Sequence, residues 1–212
     1  MTSTPALTQP LSAAPLALTC HPATPCPLDL RLSVALAVAG SETGAGWLLH
    51  YRITGDTAGL LLPPPSAPGP ADDLWQHTCF EAFVACDGEP AYREFNFSPS
   101  GQWAAYRFSA ERVRDPSAEA AAPAWAPELE FLEQPQSLDL QVWLPREALP
   151  DASAGASLIL GLSAVLETLD GQLSYWALHH PAERPDFHHR AGLVHKPDLP
   201  PFPTAPAPLN PA

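Results

Sequence analysis

At 212 residues with 46% hydrophobic content, the chain is long enough to bury a core of its own, and a single domain is the default. A net charge of −13 argues against nucleic acid and against an anionic membrane surface, since both need clustered Lys and Arg. No run reaches the roughly 18 apolar residues of a membrane helix.

No Lys or Arg precedes Arg31, and Pro5, Pro10 and Pro15 interrupt the early apolar residues, so the pattern of a signal peptide is missing and a cytoplasmic protein is expected. Residues 1–26 (Thr, Ala, Pro) and 197–212 (Pro-rich) read as tails around one domain at 27–196. Cys20 and Cys26 lie close enough in sequence to pair but need not, and no Cys-x-x-Cys pair occurs.

The first element is Leu28–Val38, where Leu or Val fills every even position and Asp29, Arg31 and Ser33 alternate with them, the pattern of a half-buried strand. Trp47–Ile53 gives a second strand, with Leu49, Tyr51 and Ile53 on one face. Leu60–Leu62 is stopped by Pro63, Pro64 and Pro65. The stretch 73–108 then holds Cys79–Ala85 and Tyr92–Phe97, both alternating and bounded by Asp87-Gly88 and by Ser98-Pro99-Ser100-Gly101. These turns predict a three-stranded antiparallel meander in which Phe95 and Phe97 point one way and Tyr92, Glu94 and Asn96 the other.

Residues 109–136 are open between a long loop and a short helix. Leu138–Leu144 alternates as a strand, and Pro145–Leu149 suits one helical turn. The last hairpin, Ser157–Leu169 and Gln172–Leu178 around a type I′ Asp170-Gly171 turn, would place Glu167 opposite Ser174 and Val165 opposite Trp176. Many short strands with hardly any helical period make the fold all-β, a β-sandwich in preference to a closed barrel.

Two sets of residues can carry chemistry. Sugar rings offer apolar C–H faces ringed by hydroxyls, so a site for them combines flat aromatics with carboxylates, amides or Arg. Trp75, Glu81, Glu94, Asn96, Trp103, Arg107 and Trp176 are of those types. Glu81 shares its parity with Cys79 and Phe83, so it is a carboxylate on an apolar face. Three roles stay open for it: an ion pair with Arg93 or Arg107, a ligand contact, or an acid-base pair with Glu94.

The second set is His179, His180, Asp186, His188 and His189, a loop in which imidazoles are interleaved with a carboxylate as a divalent transition metal prefers. Its spacing matches no standard zinc motif. Dinucleotide-loop and nucleophile-elbow signatures are incomplete: Gly44-Ala45-Gly46 lacks the third Gly and Gly161-Leu162-Ser163-Ala164-Val165 the closing one.

Leu74-Trp75-Gln76-His77-Thr78-Cys79-Phe80-Glu81-Ala82-Phe83, followed by Tyr92-Arg93-Glu94-Phe95-Asn96-Phe97-Ser98-Pro99-Ser100-Gly101, resembles the DOMON-like proteins related to family 9 carbohydrate-binding modules. The resemblance extends over 28–195, with Tyr175-Trp176 its other specific point, and implies an immunoglobulin-like β-sandwich of two antiparallel sheets with a site for sugars or, in other branches, haem. The one Met is Met1, so the Met and His haem ligation of the cytochrome-type members has no counterpart here. The combined expectation is a non-catalytic module for a carbohydrate or similar small polar ligand, without a cofactor. The alternative is a metal- or haem-linked protein, enzymatic or not, that uses the His cluster.

Overall fold

The computed structural model describes residues 14–41, 44–151, 157–199 and 202. Its strands in chain order are β1 (Leu16–Cys20), β2 (Leu30–Ser41), β3 (Gly44–Gly55), β4 (Gly69–Pro70), β5 (Cys79–Cys86), β6 (Tyr92–Phe97), β7 (Gln102–Ala110), β8 (Val113–Arg114), β9 (Glu128–Gln134), β10 (Ser137–Pro145), β11 (Leu158–Glu167) and β12 (Leu173–Ala177), joined by a short α-helix, α1 (Pro116–Ala120), and single 3-10 turns such as Leu74–Gln76 and Arg190–Gly192. None of the helices described is long and apolar enough to cross a membrane.

The all-β expectation holds, and the strands form one continuous sheet in the order β4-β7-β6-β5-β11-β12-β1-β2-β3-β10-β9, with β8 added to β7. The sheet curls so that its halves share a core. Val34, Leu49, Tyr51 and Leu140 of the first half pack in one cluster with Phe80, Phe95, Phe97 and Leu162 of the second. Tyr51 lies against Phe80, and its hydroxyl donates to the Glu81 carbonyl at 2.8 Å. Such a buried phenol is tolerated because its hydroxyl is satisfied.

The joint between the halves is β1, which pairs β12 on one side and β2 on the other. This corrects the reading of residues 1–26 as a tail, of which 1–13 lie outside the described residues, as does most of the expected tail at 197–212. Leu16, Leu18 and Cys20 do alternate, but the strand is too short to stand out beside Pro15, Pro25 and Pro27. β2 and β3 form a hairpin over their full lengths, and β3 runs past both ends of its sequence pattern. The meander β5-β6-β7 forms as predicted, with Phe95 and Phe97 inward. The undecided segment 109–136 resolves into β8, α1 and the edge strand β9, whose Glu128, Glu130 and Glu133 discourage further pairing.

The final hairpin has a different register from the predicted one. Leu166 lies opposite Ser174 and Ala164 opposite Trp176. Gly171 has φ +82°, whereas Asp170 is not in the left-handed region, so a type I′ turn, which needs both, cannot form. The loop closes instead between Thr168 and Gln172. With that one-residue shift Trp176 sits across from core-facing Ala164 and joins the core itself.

Candidate functional site

The outward face of the second half is roofed by the chain after β12. Residues 178–195 leave the end of β12, cross the face of the sheet and return to pair with the start of β11, where Leu160 and His195 exchange backbone hydrogen bonds of 2.8 and 3.0 Å. Two imidazoles and a guanidinium fasten this strap. His180 bonds the Thr19 carbonyl at 2.8 Å, His21 bonds the Ala182 carbonyl at 3.1 Å, and Arg190 donates to the Cys86 carbonyl at 3.1 Å. Leu193 lies directly on the sheet over Gly161, where a Cβ would stand at ordinary contact distance, 3.4 Å, from Leu193 and the Gly192 carbonyl.

Between strap and sheet is a cleft of about 770 Å³. Its floor carries Glu81 of β5, Glu94 of β6, Tyr106 and Phe108 of β7 and Tyr175 of β12. One wall is strap residues Arg184 to His188, and the other is Asp72, Asp73 and Trp75 with Arg112 and Arg114. The two non-glycine residues described with left-handed backbone, Asp73 (φ 61°) and Arg112 (φ 58°), both line it. Strain of that kind gathers at working sites.

The register explains the floor. Glu81 pairs with Asn96 on one side and Ser163 on the other, and Glu94 pairs with Phe83, so the two carboxyls are diagonal neighbours on the outward face. Both are almost fully buried, at 3% and 5% exposure. Asn96 donates from Nδ2 to Glu94 Oε1 at 2.7 Å. Among the described residues no hydrogen bond reaches the Glu81 carboxyl, and the Ser163 hydroxyl beside it is buried without a partner. Arg93 and Arg107, the cations the sequence offered to Glu81, pair with each other across β6 and β7, and Arg93 lies opposite Val84 of the core-facing set. They therefore sit on the other face of the sheet.

Burial, then the charge of Glu94, pushes the Glu81 carboxyl well above the ordinary carboxylate range. Burial also raises Glu94, to about 7, against the opposing hydrogen bond from Asn96. His188 Nε2 is 3.7 Å from Glu94 Oε2, and its Nδ1 bonds the Tyr92 hydroxyl at 2.8 Å. Burial, followed by the nearby Arg112, lowers this imidazole to about 4, so at neutral pH it is uncharged. Of the three guanidiniums lining the cleft, Arg112 donates to Asp186 at 2.7 Å, Arg114 forks onto Glu119 at 3.0 and 3.2 Å, and Arg184 makes no hydrogen bond or ion pair with the Glu81 or Glu94 carboxyl among the described residues. Two carboxyls thus open into a cleft without a bonded cation. A protonated carboxyl donates a hydrogen bond and an ionised one accepts, which suits hydroxyls. Trp75, 47% exposed at the rim, offers an indole face.

The sequence-derived site set divides three ways. Trp75, Glu81 and Glu94 line this cleft, and Asn96 is buried beneath it. Trp103 and Arg107 line a different cleft, on the inward face at the β7 edge. Trp176 is a core residue, 6% exposed, with its indole N–H donated to Ser174 Oγ at 3.0 Å. Of the His set, Asp186 and His188 face the cleft, His180 fastens the strap, and His189 Nδ1 accepts from the Ala191 amide. His179 is exposed on the strap. These five residues are not gathered around one point, and no group of three His, Cys, Asp or Glu among the described residues is arranged to hold a metal ion. The sequence reading missed Tyr106, Tyr175, Arg112 and Phe187. Tyr106 was within reach, because it shares its parity on β7 with Ala104, opposite Asn96.

No protein-family model and no curated protein matches the chain. Among solved structures, the chain is similar to a candidate carbohydrate-binding protein of Bacteroides uniformis ATCC 8492, with a TM-score of 0.55 and 20% identity over 84% of this chain and 81% of that one. At that identity the likeness establishes a shared fold.

Proposed function

We propose that the protein is a DOMON-like binding domain, related to family 9 carbohydrate-binding modules and built as an immunoglobulin-like sandwich, that holds a carbohydrate or similar small polar ligand between the outward face of β5-β6-β7 and the C-terminal strap. The observation that carries this reading is the pair Glu81 and Glu94, buried on the cleft floor with no cation bonded to either. Unpaired buried carboxyls are costly, and a ligand rich in hydroxyls would satisfy them without bringing a charge of its own. Trp75, Tyr175 and Phe187 supply apolar faces around the same space. The shared fold with a candidate carbohydrate-binding protein supports the assignment.

The test is calorimetric titration with a panel of neutral mono- and oligosaccharides. At least one binds, and Glu81→Gln and Trp75→Ala each weaken it about tenfold or more, the loss of roughly one good contact, without unfolding the protein. Silence across the panel overturns the proposal.

A hydrolytic reading has one observation of its own, that Glu94 and Glu81 are buried as diagonal neighbours on the cleft floor, where burial raises the Glu94 carboxyl to about 7, the range of a general acid. Nitrophenyl glycosides separate the two: turnover abolished by Glu94→Gln favours an enzyme, and binding without turnover favours the module.

A further inference from the structure

We propose that a second cleft, on the inward face at the β7 edge, binds a small organic anion whose carboxylate or phosphate lies beside a flat apolar ring. Its space is about 400 Å³, enough for a monosaccharide derivative or a small aromatic acid. Arg93 of β6 and Arg107 of β7 lie directly opposite each other in the ladder, and both line this space. Like charges in that position oppose sheet formation. Burial, and after it the charge of Arg107, brings the Arg93 guanidinium down to about 10.

The surroundings do not neutralise the pair. Arg93 spends one nitrogen on the carbonyls of Glu147 and Ala148, at 3.2 and 2.5 Å, which leaves the rest of its fork available. Among the described residues the Arg107 guanidinium makes no hydrogen bond or ion pair. The carboxylates on the rim are committed: Glu119 takes the fork of Arg114 and the Arg107 backbone amide, and Asp72 accepts from the Tyr106 hydroxyl at 2.8 Å. In a chain of net charge −13, two adjacent guanidiniums facing an open cavity, with no carboxylate bonded to either, are an arrangement that an oxyanion completes, most directly by bidentate hydrogen bonds.

The ring preference comes from the indoles. Trp103 and Trp125 stack with centroids 5.1 Å apart and 28° between planes, and both line the same space. A sugar or aromatic ring laid on them would carry its oxyanion towards the arginines. This cleft is separate from the carboxyl-floored one, whose electrostatics are of the opposite sign, and the two meet only at the edge residues Asp72, Tyr106 and Arg114.

Tryptophan fluorescence of the full chain, titrated with glucose 6-phosphate, glucuronate, glucose and inorganic phosphate, tests the inference. A Trp75→Phe background removes the signal of the other cleft. The phosphorylated sugar or the uronate binds at least about tenfold more tightly than glucose, and the ranking of the two assigns phosphate or carboxylate. Raising salt from about 50 to about 200 mM weakens this binding severalfold. Arg107→Gln abolishes it, Arg107→Lys leaves a weakened remainder, and Glu94→Gln leaves it intact, which keeps the outcome independent of the carbohydrate reading. Binding unchanged in both Arg107 variants, glucose binding as tightly as the anions, or inorganic phosphate binding as tightly as glucose 6-phosphate overturns the proposal.

Discussion

Each half of the sheet carries acidic side chains on an outward face, and the two halves treat them in opposite ways. On β10, Asp139 is bonded to His50 at 2.7 Å and to Arg52 at 3.3 Å, both on the adjacent β3. On β5 and β6, Glu81 and Glu94 are buried just as deeply but have an amide, a neutral imidazole and an open cleft. A carboxylate with a guanidinium and an imidazole bonded to it is a structural element of its sheet. A carboxyl buried without them is a standing cost, tolerated where a ligand can offset it.

The largest expected effect on this contrast is a pH dependence. Glu94 binds its proton more tightly folded, near 7, than unfolded, near 4.5, so its contribution is present below about 4.5 and is lost as pH rises through 7, by about 3 kcal/mol in all. His188 has the opposite sign. Its imidazole falls from 6.5 to about 4 on folding, so its contribution is present above 6.5 and is lost as pH falls through 4. The two slopes oppose each other between about 4.5 and 6.5 in the natural chain. Chemical denaturation across pH should therefore show stability rising from pH 4 to 6.5 in Glu94→Gln and falling from 4.5 to 7 in His188→Asn. Identical profiles for both variants would remove the electrostatic basis of the comparison.

A smaller effect concerns sign alone. Asp139→Asn should destabilise the fold by about 1–3 kcal/mol, since it weakens a satisfied pair, whereas Glu81→Gln at pH 8 should leave stability equal or raise it by a similar amount. Thermal melts of the two variants in one buffer check this, and destabilisation of equal size in both would make Glu81 a structural residue. The smallest effect is at Trp75, where replacement by Ala should change stability by no more than about 0.5 kcal/mol, because the side chain is half exposed. Trp176→Ala, its control in the core, should cost about 3–5 kcal/mol. A similar loss from both would mean that the Trp75 indole belongs to the fold and not to the cleft.

Local alternation was enough to set out most of the strands and their faces. Period two needs no distant partner, so β2, β3, the meander, β10 and the inward Phe95 and Phe97 could be read directly, and so could the presence of a carboxylate at Glu81 on an otherwise apolar face. Other elements needed partners that lie far away in the chain. β1 is recognisable only as the strand that fills the gap between β12 and β2. Trp176 could not be assigned to the core until the Thr168–Gln172 loop fixed the register. Parity along one strand does not say which residue stands opposite on the next, so residue type alone puts Trp103 and Arg107 with Glu81 although they belong to the other face. The His-rich loop is the clearest case. Its composition resembles a metal-ligand set, but extended backbone aims neighbouring side chains apart, and the path of the strap over the sheet brings Asp186 and His188 to the cleft while His180 holds the strap down. Burial, and with it the raised Glu81 and Glu94 and the neutral His188, exists only once that strap is in place.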